Sequence, residues 1–357
     1  MTSTRALRRG RFELLEQRQL LAGDVLVNVV DGILMVRGDA LDNKIMIAAG
    51  AEAGDFVVTG LDGTTVHEDG QTPGAEVTVT GVHSAKVGLG AGNDLVAVVG
   101  ANVRGHLAIR TGAGDDRVLI GTGGDAPELV GVLPADVAVN VRGLLSIDTN
   151  GDHDRVAVDD ASIGRLAINA GVGNDDVSLG STAAVDESGA RLRVHRGIHV
   201  NLGDGNDELN MDQLRVRGGI IALGGPGDDT LNATSTRSHA LAVLGGGGMD
   251  SVSLTHIDAH HLGIHTGDDS DSVDVRDSVF TSFGVSLGDG NDTLTTAALQ
   301  ARFAVMLGGD GEDTLDVISQ NDFAHEVVHG FEIPPDVNVN DLLFGRRPIR
   351  RLLGLLP

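Results

Sequence analysis

Ten aspartates recur along the chain, each closing a glycine-containing turn and each followed two positions later by an apolar residue. We call them the marker aspartates: Asp94, Asp116, Asp154, Asp175, Asp207, Asp229, Asp250, Asp271, Asp292 and Asp313. The most complete turn is Val285-Ser-Leu-Gly-Asp-Gly-Asn-Asp292-Thr-Leu294. Successive markers are 22, 38, 21, 32, 22, 21, 21, 21 and 21 residues apart. A recurring period near 21 residues is typical of a solenoid, in which equivalent positions of successive repeats stack.

Further oxygen-bearing side chains lie in the same turns. The acids are Asp115, Asp204, Asp228, Asp289, Asp310 and Glu312, and the amides are Asn93, Asn174, Asn206 and Asn291. Stacking would place marker carboxylates about 4.8 Å apart, where two charges repel by roughly 3–4 kcal/mol at an effective dielectric near 20. The carboxylates must therefore be protonated, turn outward into water, or have cations between them.

Calcium is the cation that suits these turns best. It takes six to eight oxygen ligands, which carboxylates and backbone carbonyls of two adjacent glycine turns can supply. Glycine permits the positive φ that brings those carbonyls close to an ion. Magnesium demands a tighter octahedron, and zinc favours His or Cys. The alternative is an ion-free solenoid in which ladders of Asn and Asp satisfy one another.

The turns resemble the glycine-aspartate repeats of the haemolysin-type calcium-binding (RTX) family, whose pattern is G-G-x-G-x-D-x-U-x. Gly224-Gly-Pro-Gly-Asp-Asp229-Thr-Leu231, Gly245-Gly-Gly-Gly-Met-Asp250-Ser-Val252 and Gly308-Gly-Asp-Gly-Glu-Asp313-Thr-Leu315 match it, whereas Leu202-Gly-Asp-Gly-Asn-Asp207 lacks the first Gly. The resemblance implies several calcium ions between successive coils, bound by the marker Asp and by turn carbonyls. Tandem nonapeptides give two such turns per coil. One turn per 21 residues leads us to expect a single row of ions on one edge.

Two turns depart from the pattern. Asn150-Gly-Asp-His-Asp154 and Gly267-Asp-Asp-Ser-Asp271 place Asp where the second Gly is expected. We expect these two sites to be weaker or differently shaped.

The elements that position the turns are short strands. Apolar residues recur at two and four positions after each marker and again 11 to 16 positions after it, with no helical pattern between them. This predicts an all-β parallel solenoid over residues 87–317, with one repeat per coil. Period-2 alternation over residues 25–86 predicts a β-rich cap, in which Gly38-Asp-Ala-Leu-Asp-Asn-Lys-Ile45 is a degenerate repeat turn. Residues 318–357 are expected to form a C-terminal cap followed by a basic, apolar tail.

The N-terminal segment, residues 1–24, is basic, and Phe12 to Ala22 is predicted to form a short helix. Its acids and Arg18 interrupt the apolar stretch that a secretory signal requires. Leu15-Glu-Gln-Arg-Gln-Leu-Leu21 resembles the L-E-x-R-x-L-L element found near the N-termini of exported proteins of planctomycete-type bacteria, with Gln17 where Pro is frequent. The resemblance implies export to the cell surface or the extracellular space.

Composition excludes several classes of protein. The net charge of −25 makes nucleic acid an improbable partner, because affinity for it depends on neutralising phosphates. The chain has no Cys, no Trp and no Tyr, so it has no thiolate site and no Trp or Tyr platform for stacking sugars or bases. No apolar run is long enough to predict a transmembrane helix.

Two histidine patterns are weaker signals. His325-Glu-Val-Val-His329 matches the H-E-x-x-H zinc motif, but Pro334 and Pro335 follow it closely, and a strand or cap is the better interpretation. His256, His260, His261 and His265 form a sequence cluster that we expect to be solvated.

The sequence therefore predicts a non-enzymatic, calcium-binding, exported β-solenoid with a structural or adhesive role. Its partners would be calcium and a cell-surface or matrix polysaccharide or protein. The alternative is a polysaccharide lyase or hydrolase, because parallel β-helices often have such activity.

Overall fold

The chain folds as a parallel β-solenoid. The computed structural model describes residues 23–121, 137–180 and 192–332, and these residues form strands and turns without any helix. The strands belong to two long sheets that face each other across a narrow interior. The predicted fold class is confirmed for this part of the chain, whereas the helix expected within residues 12–22 lies outside the described residues.

Within the described residues, sheet A contains 17 strands. They are β1 (Asp24–Val30), β2 (Ile33–Arg37), β5 (Thr65–His67), β7 (Ser84–Ala91), β9 (Asn102–Val103), β10 (Leu107–Ala113), β12 (Val139–Gly151), β14 (Ala161–Val172), β16 (Leu192–Val194), β17 (Ile198–Asp204), β19 (Leu214–Val216), β20 (Gly219–Pro226), β22 (Arg237–Gly247), β24 (Asp258–Asp268), β26 (Val279–Asp289), β28 (Gln300–Asp310) and β30 (Asp322–His329).

In the same part of the chain, sheet B contains 13 strands. They are β3 (Lys44–Ala49), β4 (Phe56–Gly60), β6 (Glu76–Val79), β8 (Leu95–Val99), β11 (Arg117–Ile120), β13 (Arg155–Val158), β15 (Asp176–Gly180), β18 (Glu208–Asp212), β21 (Thr230–Thr234), β23 (Ser251–Thr255), β25 (Ser272–Arg276), β27 (Thr293–Ala297) and β29 (Thr314–Val317).

Each coil pairs in parallel with the equivalent residues of the next. In sheet B, Leu231 aligns with Val252, which aligns with Val273 and then with Leu294. In sheet A, Leu262 aligns with Phe283, which aligns with Ala304. Because the register is the same from coil to coil, the turns that join sheet A to sheet B also stack, and the marker aspartates form one row.

The core is a column of aliphatic side chains between the two sheets. Val, Leu and Ile alternate inward along successive strands and form one continuous cluster from Val25 to Met306. Phe283 stacks on Phe280 and Phe323 near the C-terminal end, with ring centroids 5.7 and 6.1 Å apart. The interior is therefore filled by side chains.

The N-terminal cap mixes antiparallel and parallel pairing. The pairs β1–β2, β3–β4 and β4–β6 are antiparallel, whereas β2–β7 and β3–β8 are parallel. Strands β2 and β3 therefore form the first, irregular coil, and the degenerate turn between Gly38 and Ile45 occupies the position of a repeat turn.

The solenoid continues past Val317, where the sequence periodicity ends. Strand β30 pairs in parallel with β28. Gln300 aligns with Asp322 at one end of this pairing, and Leu307 aligns with His329 at the other. An isolated bridge between Thr314 and Glu332 brings the chain back to sheet B. The first part of the expected C-terminal cap is thus a further coil. In the part of the chain that the structure describes, no helix is long and apolar enough to cross a membrane.

Candidate metal centre

The marker aspartates form a buried ladder along one edge of the solenoid. All ten are 0–3% exposed. The backbone N–H of each of the first nine donates to Oδ1 of the next marker, at 2.7 to 3.0 Å. The carbonyl of each of the first nine accepts an N–H from the residue that follows the next marker, as Asp207 does from Thr230, and the carbonyl of Asp313 accepts the N–H of Glu332. Each marker therefore joins two coils through its side chain and through its backbone.

Asn43 is the first member of this ladder. Its N–H donates to Oδ1 of Asp94 at 2.7 Å, and its carbonyl accepts the N–H of Leu95. Asn43 is fully buried, like the aspartates that follow. The degenerate turn of the cap thus supplies a neutral amide at the end of a row of carboxyl groups.

The second carboxyl oxygen of every marker is buried without a hydrogen-bond partner. This holds for Oδ2 of all ten aspartates and for Oδ1 of Asn43. The hydroxyl groups of Thr111, Thr149 and Thr266, five positions earlier in the chain, nevertheless lie close enough to Asp116, Asp154 and Asp271 to lower the pKa of these carboxyl groups. In the three complete motifs a glycine lies at this position, beside Oδ2. A Cβ built on Gly224, Gly245 or Gly308 would collide with Oδ2 of Asp229, Asp250 or Asp313. The first glycine of the complete motif therefore leaves room beside the carboxylate.

Burial raises the pKa of the marker carboxyl groups from Asp94 to Asp292, because removal from water disfavours the ionised form. The pKa rises to about 8 for Asp154, to about 7 for Asp94 and Asp229, and to about 6 for Asp207, Asp250 and Asp292. The pKa is also raised by burial for Asp116, Asp175 and Asp271. Neighbouring markers add to the rise at several positions, while the backbone N–H bond to the carboxylate opposes it.

A second ladder runs outside the first with the opposite polarity. It consists of the residues immediately before the markers, which are exposed. Here the side chain of one coil accepts the N–H of the next coil, as Asn93 does from Asp115 at 3.2 Å and Asn206 from Asp228 at 3.0 Å. The same pattern includes Asp115, His153, Asn174, Asp228, Ser270 and Asn291 as acceptors. Met249 interrupts it.

The predicted ligands therefore occupy three rows. The ten markers lie in the buried row, and Asn93, Asn174, Asn206, Asn291, Asp115 and Asp228 lie in the outer ladder, where they accept backbone N–H groups. Asp204, Asp289 and Asp310 lie in a third row at the ends of β17, β26 and β28, and these three are exposed. The two ladders satisfy marker Oδ1 and the outer acceptors, as the ion-free alternative requires, but they leave marker Oδ2 unsatisfied.

The glycines of the turn are required by close approach between coils. Gly225 and Gly227 have φ of 127° and 130°, a region that other residues rarely adopt. A Cβ on either would overlap the carbonyl oxygen of Gly203 or Gly205 in the preceding coil. These carbonyls therefore point toward the corresponding glycines of the next turn.

The two irregular turns keep the left-handed conformation without glycine. Asn150 and Asp152 have φ of 74° and 73°, and Asp269 has φ of 74°. Asn and Asp tolerate this region better than other side chains. These turns are differently shaped, as expected, because their φ angles are well below the 112° to 148° of the corresponding glycines. Whether their affinity for a cation is lower stays a prediction.

The buried row fits a hard cation in its chemistry. Two successive markers bring two unpartnered carboxyl oxygens to each interval between coils. Among the described residues, no three His, Cys, Asp or Glu side chains converge as a metal-binding group. A cation held at this row would therefore take its remaining ligands from backbone carbonyls, which calcium accepts readily.

The histidine patterns do not form the sites that their sequence spacing suggests. The H-E-x-x-H segment lies on β30, so the strand interpretation is confirmed. His325 and His329 alternate with Val327 on the exposed face, and Glu326 aligns with buried Ala304. Burial raises the pKa of Glu326 to about 7. His260 and His261 instead lie near His239, with ring centroids 5.0 and 5.7 Å away.

Comparison with protein-family models, with curated proteins and with solved structures finds no match for this chain. The site must therefore be interpreted from its own geometry.

Proposed function

We propose that the chain is a non-enzymatic calcium-binding β-solenoid that serves a structural or adhesive role outside the cell or on its surface. The observation that carries the calcium proposal is the row of ten buried marker carboxyl groups, each with one oxygen that lacks a hydrogen-bond donor. Burying a charged carboxylate with one unpartnered oxygen destabilises the fold. A cation between successive markers would compensate for the loss of hydration and for the repulsion between the carboxylates.

The size of the cost supports a cation. Ionising a carboxyl group whose pKa rises from about 4 to about 7 destabilises the fold by about 4 kcal/mol. Several such groups in one row would together offset a large part of the roughly 5–15 kcal/mol that stabilises an ordinary domain. At neutral pH the row must therefore keep its protons or bind cations.

The markers, together with carbonyls of the stacked glycine turns, would hold the ions. Calcium supplies positive charge and a flexible coordination shell. Because calcium would bind the coiled state and not the unfolded chain, it would stabilise the solenoid. The resemblance of the turns to haemolysin-type repeats and of residues 15–21 to an export element agrees with a calcium-rich, extracellular setting.

Circular dichroism in calcium and in excess chelator at pH 7.5 tests the calcium proposal. We expect chelation to lower the melting temperature strongly or to abolish the strand signal. Unchanged strand content and melting temperature would refute it. The enzymatic alternative has a separate test, which is the release of reducing ends from acidic polysaccharides.

A further inference from the structure

Part of the outer face of sheet A is free of Asp, Glu, Lys and Arg across its last six strands. Three outward rows cross β20, β22, β24, β26, β28 and β30. The central row is Ile221, Ala242, Gly263, Gly284, Val305 and Val327. The flanking rows are Gly219, Ala240, His261, Ser282, Phe303 and His325, and Leu223, Leu244, His265, Ser286, Leu307 and His329. We call these three rows the neutral face.

The neutral face is unusual for a chain of net charge −25. None of its positions is Asp, Glu, Lys or Arg. The same rows are charged nearer the N-terminus, where they contain Lys86, Arg110, Asp148 and Arg165. The charged groups around it are Arg302, which lies over the Phe303 ring at 5.1 Å, the row of turn acids at the ends of β24, β26 and β28, and Arg237, Asp258 and Asp322 at the starts of β22, β24 and β30.

Large apolar side chains are exposed on this face. Val327 is 56% exposed, Ile221 and Leu244 are each 42% exposed, and Phe303 and Val305 are 41% and 40% exposed. Six strands about 4.8 Å apart and three outward residues per strand cover about 580 Å². Nine of its 18 positions are Ala, Val, Ile, Leu or Phe, and exposed apolar clusters of this kind often mark interaction sites.

The middle of the neutral face is a hollow that the fold does not require. Gly263 and Gly284 have no positive φ. A Cβ on Gly263 would meet nothing within 4 Å, and one on Gly284 would only touch the carbonyl of Leu262 at 3.7 Å. Larger side chains would therefore fit at both positions. Val305 and Phe303 project on the C-terminal side of this hollow.

We propose that the neutral face is the contact surface of a homodimer. Two chains of charge −25 repel each other through most of their surfaces, and contact through this face would not place like charges against each other. A two-fold axis that lies between the two faces and passes over Gly284, parallel to the strands, would place Val305 of one protomer over the partner's Gly263. The reverse contact would form at the same time. Two faces would bury about 1,150 Å², just below the range of stable specific interfaces, so the dimer is weak and dissociates in the micromolar range.

Sedimentation of the full chain in calcium-containing buffer tests this proposal. We expect a monomer–dimer equilibrium that salt strengthens, because salt screens the net charge. Val305→Asp and Gly263→Leu should each raise the dimer Kd by at least about tenfold, which corresponds to about 1.4 kcal/mol. The matched control is Ser253→Asp, an outward position on sheet B, which should leave the Kd within about twofold.

Cross-linking provides a second test, because the chain has no Cys. Gly284→Cys places a thiol on the proposed axis and should form an intermolecular disulfide, whereas Ser253→Cys should not. The proposal is overturned by a monomer at about 200 μM, a concentration at which a micromolar dimer would be populated. Equal effects of the sheet A and sheet B variants would also overturn it. Circular dichroism of each variant confirms that the solenoid is intact.

Discussion

Asp229→Asn removes one charge from the middle of the marker ladder while preserving the shape of the side chain. The amide oxygen can still accept the N–H of Asp207, which Oδ1 of Asp229 accepts at 2.9 Å. The amide nitrogen would replace Oδ2, which has no donor in the native chain. Asn43 occupies the equivalent position in the first coil, so the ladder already accommodates an amide.

The effect of this substitution should depend on pH. Burial raises the pKa of Asp229 to about 7, so at pH 8 without calcium the folded state contains a buried carboxylate. Relative to an uncharged side chain, that carboxylate destabilises the fold by up to about 4 kcal/mol. We therefore expect Asp229→Asn to be about 2–4 kcal/mol more stable than the native chain at pH 8 in chelator. At pH 4, where the native side chain is protonated in the fold, the difference should fall within about 1 kcal/mol.

Denaturant unfolding followed by circular dichroism measures these differences. Asp289→Asn is the matched control, because it removes the same charge from an exposed position, and its effect should stay within about 0.5 kcal/mol at both pH values. Adding calcium at pH 8 should stabilise the native chain more than Asp229→Asn. If Asp229→Asn destabilises the calcium-free protein at pH 8, or acts equally at both pH values, the reasoning about a buried unpartnered carboxylate is wrong.

Three other predictions follow from the same ladders. Without calcium, the free energy of unfolding should be greatest below about pH 4 and should decrease as the pH rises through about 6 to 8, because the folded-state pKa values of the markers exceed their unfolded values. Urea midpoints measured across this range test the trend. Midpoints that increase with pH would show that the fold favours the ionised markers. Gly225→Ala should lower the free energy of unfolding by several kcal/mol, because its Cβ would overlap the Gly203 carbonyl, whereas Gly263→Ala should be neutral or slightly stabilising. Comparable melting temperatures of the two variants would contradict the requirement for glycine at position 225. Asn206→Ala should lower the free energy of unfolding by about 1 kcal/mol, because it removes the acceptor of the Asp228 N–H, and calcium binding should persist. Loss of calcium binding, measured by calorimetry, would instead identify Asn206 as a ligand.

The sequence period was sufficient to predict the parallel solenoid and the stacking of its turns. Each marker is followed by apolar residues two and four positions later. This spacing determines that side chains such as Val252 and Val273 point into the core. The same spacing could not show the direction of the hydrogen bonds. Asp229 and Asn206 are both oxygen-bearing turn residues, yet one accepts an N–H from the preceding coil and the other from the following coil. That difference depends on whether the side chain points inward or outward.

The ends of the array were harder to predict because they lack the repeat turn. Asn43 belongs to the ladder, but an amide in a degenerate motif does not match the marker pattern. Strand β30 has no marker at its end, although Phe323 and Val328 still pack against the core. Backbone pairing continues there after the side-chain pattern has ended, since parallel pairing depends only weakly on the outward residues.

Isothermal calorimetry of calcium binding tests the central claim most directly, when it is performed in buffers of different ionisation enthalpy. If calcium binds the buried markers, several ions should bind per chain, and the protons of the marker carboxyl groups should be released on binding. Release should be greater at about pH 6.5 than at about pH 8.5, because the raised pKa values lie between about 6 and 8. Absence of binding at millimolar calcium, or binding without pH-dependent proton release, would contradict the account.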